Sequence, residues 1–161
     1  MDKTNTIEEN TNDMSSRGWV QDLIQSIAND LAIYNHLTEK LYSLMEDDEG
    51  DLTEEITHIQ MTMSSVSDTR RRKMKMLENQ FVGFDPKMHC ALKHAIEGAM
   101  EMIEVYSAII TSPRIDQQTR DDADQMFYET HQNLAQILSL AFGLDFDTCW
   151  RCVSDQMVSS N

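Results

Sequence analysis

Residues that break helices are scarce in this chain: 5 Gly and 2 Pro in 161 residues. No alternating β-branched run bounded by turn residues occurs either, which leaves little room for strands. No stretch reaches the ~20 uninterrupted apolar residues that a membrane helix needs. Residues 1–16 are polar and acidic and lack an apolar h-region, so they are not a secretory signal, and a cytoplasmic location is expected. Positive charge is also in short supply. The formal net charge is −15, and much of the basic complement sits in one cluster, Arg70, Arg71, Arg72, Lys73 and Lys75. Such an acidic surface repels nucleic acid and anionic membrane; it suits a basic protein partner or simply keeps the chain soluble. A nucleophile elbow, a Gly-rich phosphate loop and an inward-facing acid–base pair are all missing, which argues against an enzyme.

What the chain has instead is apolar spacing at alternating gaps of three and four. Val20, Ile24, Ile27, Leu31 and Tyr34 begin a first stripe that continues to Met45. Leu52, Ile56, Ile59 and Met63 open a second, resumed by Met74, Leu77 and Phe81. Leu92, Ile96, Ala99, Ile103 and Tyr106 mark the third, and Ala123, Phe127, Leu134, Leu138 and Phe142 the fourth. This spacing winds one apolar stripe along an α-helix, and each stripe must be buried against another. The expected fold is all-α: an antiparallel up-down four-helix bundle with a short C-terminal fifth helix.

Punctuation supplies the boundaries. Composition marks 1–15 as a disordered acidic and polar leader and 16–161 as a single bundle domain. The first helix is expected over about 16–45, capped by Ser15 or Ser16. Glu46 to Asp51 is a turn, with Gly50 as the stop and a knot of carboxylates that cannot be buried. Asp51 or Thr53 opens the second helix. Around Ser64 to Asp68 the pattern falters, and an unbroken helix would bring Arg70 into the apolar stripe. A bend or restart there, with Asp68 as a new cap, is the preferred reading over an Arg70 paired in the core. Pro86 suits the first position of the third helix, about 86–111. The fourth runs from about Asp116 to Phe142 with Gly143 as C-cap, and Asp145 or Asp147 caps the last.

Two metal readings arise. Glu55-Ile56-Thr57-His58 has the Glu-x-x-His spacing of a ferritin-like di-iron site, with Glu104 and His131 as further ligands. The fourth helix lacks the matching Glu, since Tyr128 stands in its place. On a helical wheel, His58 lies about 125° from the centre of its stripe and Glu55 about 65°. Glu97, Glu101 and Glu104 form a row turned to solvent. The second reading is structural zinc. Cys149 and Cys152 form a C-x-x-C pair, and an antiparallel hairpin lets the segment after the fourth helix approach His89 and Cys90 at the start of the third. Cys90, Cys149, Cys152 and His89 are the candidate Cys₃His ligands, and zinc the candidate cofactor. A disulfide does not fit a reducing compartment.

The run His89-Cys90-Ala91-Leu92-Lys93-His94 is loosely similar to the His-x-Leu-Lys-Gly helix of histidine phosphotransfer modules, which are four-helix bundles with an exposed histidine. His89 stands one residue too far from Leu92 and Cys90 occupies the expected slot, so no functional residue carries over. The basic cluster near the end of the second helix complements the dipole and lies level with Asp22 and Asp30, which points to an internal charge match. The 12 methionines read as core filling, though thioethers also make adaptable binding surfaces. Trp19 and Trp150 read as packing.

These features converge on a non-enzymatic acidic bundle acting through protein–protein contacts as an adaptor, inhibitor or assembly factor. A metal-binding bundle, zinc or degenerate di-iron, is the alternative. A homo-oligomer is a further expectation, from the broad apolar faces of the first and third helices.

Overall fold

The computed structural model describes residues 3–46, 50–83 and 85–159, and side chains over 18–46, 50–83 and 85–155. Five helices follow one another: α1 (Lys3–Glu46), α2 (Thr53–Glu78), α3 (Pro86–Thr111), α4 (Gln117–Phe142) and α5 (Phe146–Ser159). Together they make an all-α, up-down four-helix bundle with a short C-terminal helix packed on it. α1 starts at Lys3, so neither Ser15 nor Ser16 caps it. The side chains of the leader assigned to 1–15 lie outside the described residues.

Local chemistry fixes most ends. The Asp51 carboxylate accepts from the Thr53 N–H at 3.1 Å and opens α2. Asp85 accepts from Met88 N–H at 2.9 Å, with Pro86 in the first turn where its missing donor goes unnoticed. Asp116 caps α4 through Thr119 N–H at 2.9 Å, and Asp145 caps α5 through Thr148 N–H at 3.2 Å. Gly143 ends α4 at φ +64°, a left-handed conformation that a side chain would strain.

α2 is one continuous helix through Asp68, so the restart expected there, with Asp68 as a new cap, does not occur. Arg70 does fall in the stripe and is buried, but its guanidinium meets Glu104 of α3 in an ion pair. Glu104 is therefore not a solvated carboxylate; it faces α2 with a side chain only 18 % exposed. The wheel brought Arg70 into its own stripe and set Glu104 outside the apolar face of α3. It could not show that α2 and α3 turn these faces toward each other, so that each charge neutralises the other. Lys73 pairs with Asp30 of α1 at 2.6 Å, which is the internal charge match expected of the basic cluster. Asp22 instead lies beside Cys152 of α5.

These ion pairs, with Lys93–Glu78 at 3.2 Å, set the antiparallel register of α1 on α2 and α2 on α3. The close backbone pairings are α3 on α4, α1 on α2, α1 on α3, and α5 on both α1 and α4. α1 and α4 are not among them. α5 turns back after Gly143 and wedges between the two, placing Cys149, Cys152 and Val153 in the common core. Ile27, Leu77, Ile96, Ile103 and Leu138 form the centre of that core, each fully buried. Each such side chain contributes about 1.5–3 kcal/mol of burial. The connection between α2 and α3 is sewn onto the end of α4. Val82 N–H donates to the Ala141 carbonyl at 3.0 Å, and the Phe81 ring packs on Phe142 and His89.

Methionines divide between two environments. Met74 and Met100 fill the core, whereas Met61, Met76, Met88, Met102 and Met126 are exposed, so core filling accounts for only part of the set. Trp150 packs against Tyr128 and stacks on Phe146; Trp19 is exposed. No described helix is long and apolar enough to cross a membrane.

Candidate functional site: a cleft between α1 and α4

The wedge made by α5 has a structural consequence. It fills the gap between α1 and α4 at one end and leaves the remainder as a cleft of about 810 Å³. Ala28 and Ala32, one turn apart on α1, contribute walls too short to close it. The floor is apolar: Ile27 and Leu31 of α1, Met100 of α3, and Leu134 and Leu138 of α4, with Val153 of α5 at one end. Leu77 of α2 also lines it, so the cleft reaches through the bundle to the far helix. A volume in this range suits a drug-sized molecule or several side chains of a partner.

Polar groups gather at the mouth and along the walls. His36 and Glu39 on α1 face Asp124, Gln125 and Tyr128 on α4. No lysine or arginine lines the cleft among the described residues, so its ionised groups are carboxylates. Deeper in, His131 is buried, and its Nδ1–H donates to the Phe127 carbonyl at 2.7 Å. Burial pushes its pKa down, outweighing the upward pull of that hydrogen bond, so the ring is neutral and Nε2 keeps its lone pair. Asn35 Oδ1 is shielded from solvent and has no hydrogen-bond partner among the described residues. An orphaned buried acceptor destabilises by about 1–3 kcal/mol unless something supplies a donor.

The residues singled out from sequence fall elsewhere, with one exception. Glu55 and His58 are exposed on α2, beside Lys40 and Leu44 of α1. Glu104 is taken by Arg70, and His131 alone of that set lies in the cleft. Cys149 and Cys152 are buried on α5, while Cys90 is exposed on α3. Burial, with the charges of Cys152 and Asp145 beside it, pushes the Cys149 thiol up to about 11, and burial also raises Cys152. His89 packs at a tilt against Phe81 and donates from Nε2 to the Glu78 carbonyl at 2.7 Å, closing the end of α2. Among the described residues no three His, Cys, Asp or Glu side chains are grouped to hold a metal ion. His94 is exposed.

Sequence reasoning missed Asn35, Ala28, Ala32 and the cleft itself. The one signal available was the pair of alanines flanking the Ile27–Leu31 stripe, where a broader apolar face would carry large side chains. No protein-family model, curated protein or solved structure matches this chain.

Proposed function

We propose that this chain is a non-enzymatic helical bundle that acts by binding a protein partner, and that the partner lays a basic amphipathic helix into the α1–α4 cleft. The observation that carries the reading is the cleft's composition: a deep apolar floor under a rim holding Glu39 and Asp124, with no cationic side chain on its described walls. A groove of this kind takes the apolar face of a helix, and rim carboxylates receive that helix's flanking lysines and arginines. The net charge of −15 steers a basic partner toward the surface and opposes self-association through the same face. A cytoplasmic setting accords with three cysteines that are all unpaired thiols.

The test uses a fluorescent peptide of about 18 residues, long enough to span ~27 Å of helix, built from leucine and lysine in helical register. Its leucine–glutamate counterpart is the control. The lysine peptide binds, and binding weakens as salt rises. Ala32→Trp, which fills the cleft, lowers affinity about tenfold, or ~1.4 kcal/mol. Equal binding of both peptides, a flat salt dependence, or an unchanged affinity in Ala32→Trp would each overturn the reading.

A further inference from the structure

The rim explains attraction, but one group inside the cleft asks for something more specific. Asn35 Oδ1 is a buried acceptor without a donor, on the wall of a cleft whose floor is hydrocarbon. On the opposite wall, the Nδ1–H of His131 is committed to Phe127, which leaves the Nε2 lone pair as a second acceptor. Glu39 and Asp124 at the mouth add negative charge. The Asn35 acceptor, the His131 Nε2 lone pair and the two carboxylates all favour an incoming donor, and the low dielectric of the cleft strengthens that preference. Leu31 and Ala32, one turn from Asn35 on α1, and Ile110 of α3 line the same cleft, so a donor carried on an apolar stem suits it.

We infer that the partner helix anchors in this cleft through one arginine, whose guanidinium donates to Asn35 Oδ1 while its methylene stem lies on the apolar floor. Arginine fits better than lysine because its fork carries separate donors for acceptors on two helices, and its weaker hydration makes burial easier. His131 Nε2 on α4 is the second acceptor within the cleft. Glu39 and Asp124 balance the charge from the mouth without contacting the anchor. This inference rests on the helix-binding reading of the cleft and adds to it a specific side chain and a specific receiving atom.

The experiment compares two peptides identical except at the centre of the apolar face, where one carries arginine and the other norleucine. The wild-type protein prefers the arginine peptide by about tenfold, the strength expected of a charge-assisted hydrogen bond in a shielded site. Asn35→Leu abolishes that preference and binds the norleucine peptide at least as well. The same substitution raises the melting temperature of the unbound protein, because the orphaned acceptor is gone; a merely structural asparagine would lower it. Asn35→Asp, which keeps the shape and adds charge, widens the preference for arginine. If wild type and Asn35→Leu show the same preference, the anchor is wrong while the groove stands. If neither peptide binds wild type, the groove reading falls and the anchor with it.

Discussion

Replacing Glu104 by leucine isolates the Arg70–Glu104 ion pair and tests why α2 continues unbroken past Asp68. The Arg70 side chain is 9 % exposed and that of Glu104 18 %, so neither charge is well hydrated in the folded state. Tyr34 of α1 lies close enough to feel both, and burial together with Glu104 raises its pKa while Arg70 lowers it. Removing one member of a fully buried pair costs about 3–5 kcal/mol, since the remaining charge is left without a partner. The residual exposure of Glu104 moves the estimate to the lower end, about 3 kcal/mol. For a domain of this size that corresponds to a fall in melting temperature of roughly 6–12 °C. Arg70→Met combined with Glu104→Leu removes both charges and refills the volume with hydrocarbon, so the double variant lies within ~1 kcal/mol of wild type. The assay is urea unfolding followed by circular dichroism at each corner of the cycle, with unchanged m-values as the check that the folded state is intact. The expected coupling is at least about 2 kcal/mol, the Glu104→Leu cost less that of the double variant, with the cost of Arg70→Met added to it, and it persists in high salt, which screens exposed charges but not this pair. Two small and additive single-variant effects would show a pair screened as surface pairs are, and the continuity of α2 would need another cause.

His131 links the cleft to pH. Its folded-state pKa is lowered from the ordinary 6.5 by burial, so the unfolded chain takes up the proton first as pH falls. Its contribution to stability is whole above pH 6.5 and is lost as pH falls from there through the folded-state value. His131→Leu should flatten that part of the profile in urea midpoints measured from neutral pH downward; an unaltered slope would contradict a buried neutral ring. Among the three cysteines, Cys90 alone is exposed and the Cys149 thiol titrates at about 11. An aromatic disulfide reagent at mildly alkaline pH should therefore find one reactive thiol in the native protein and all three in denaturant, and three fast equivalents would refute the packing of α5. Because Cys90 is exposed while Cys149 and Cys152 are buried on α5, chelator should leave the melting temperature unchanged. A zinc excess in the native mass spectrum, abolished by Cys149→Ser, would instead establish the Cys₃His site with Cys90 and His89.

The helices and their ends belong to the sequence. Pro86, Gly143 and the carboxylates Asp51, Asp85, Asp116 and Asp145 act within a turn of where they stand, so their roles follow from local geometry that one chain segment carries by itself. The apolar stripes likewise name Ile27, Leu77, Ile96, Ile103 and Leu138 as core, because periodicity alone decides which face of a helix is buried. Periodicity does not say which helix that face meets. Arg70 and Glu104 read separately as a flaw in one stripe and a solvated row on another, and only the packing of α2 near α3 turns them into a pair. The cleft is more strongly tertiary still. It exists because α5 folds back between α1 and α4 and parts them, a displacement set by how Cys149, Cys152 and Val153 pack between two other helices. Asn35 and His131 gain meaning only from that separation: on a closed bundle both would be ordinary interior polar groups with neighbours to satisfy them. Short-range rules fix the elements of this protein, and the placement of one terminal helix, which no local rule governs, decides where its cleft opens.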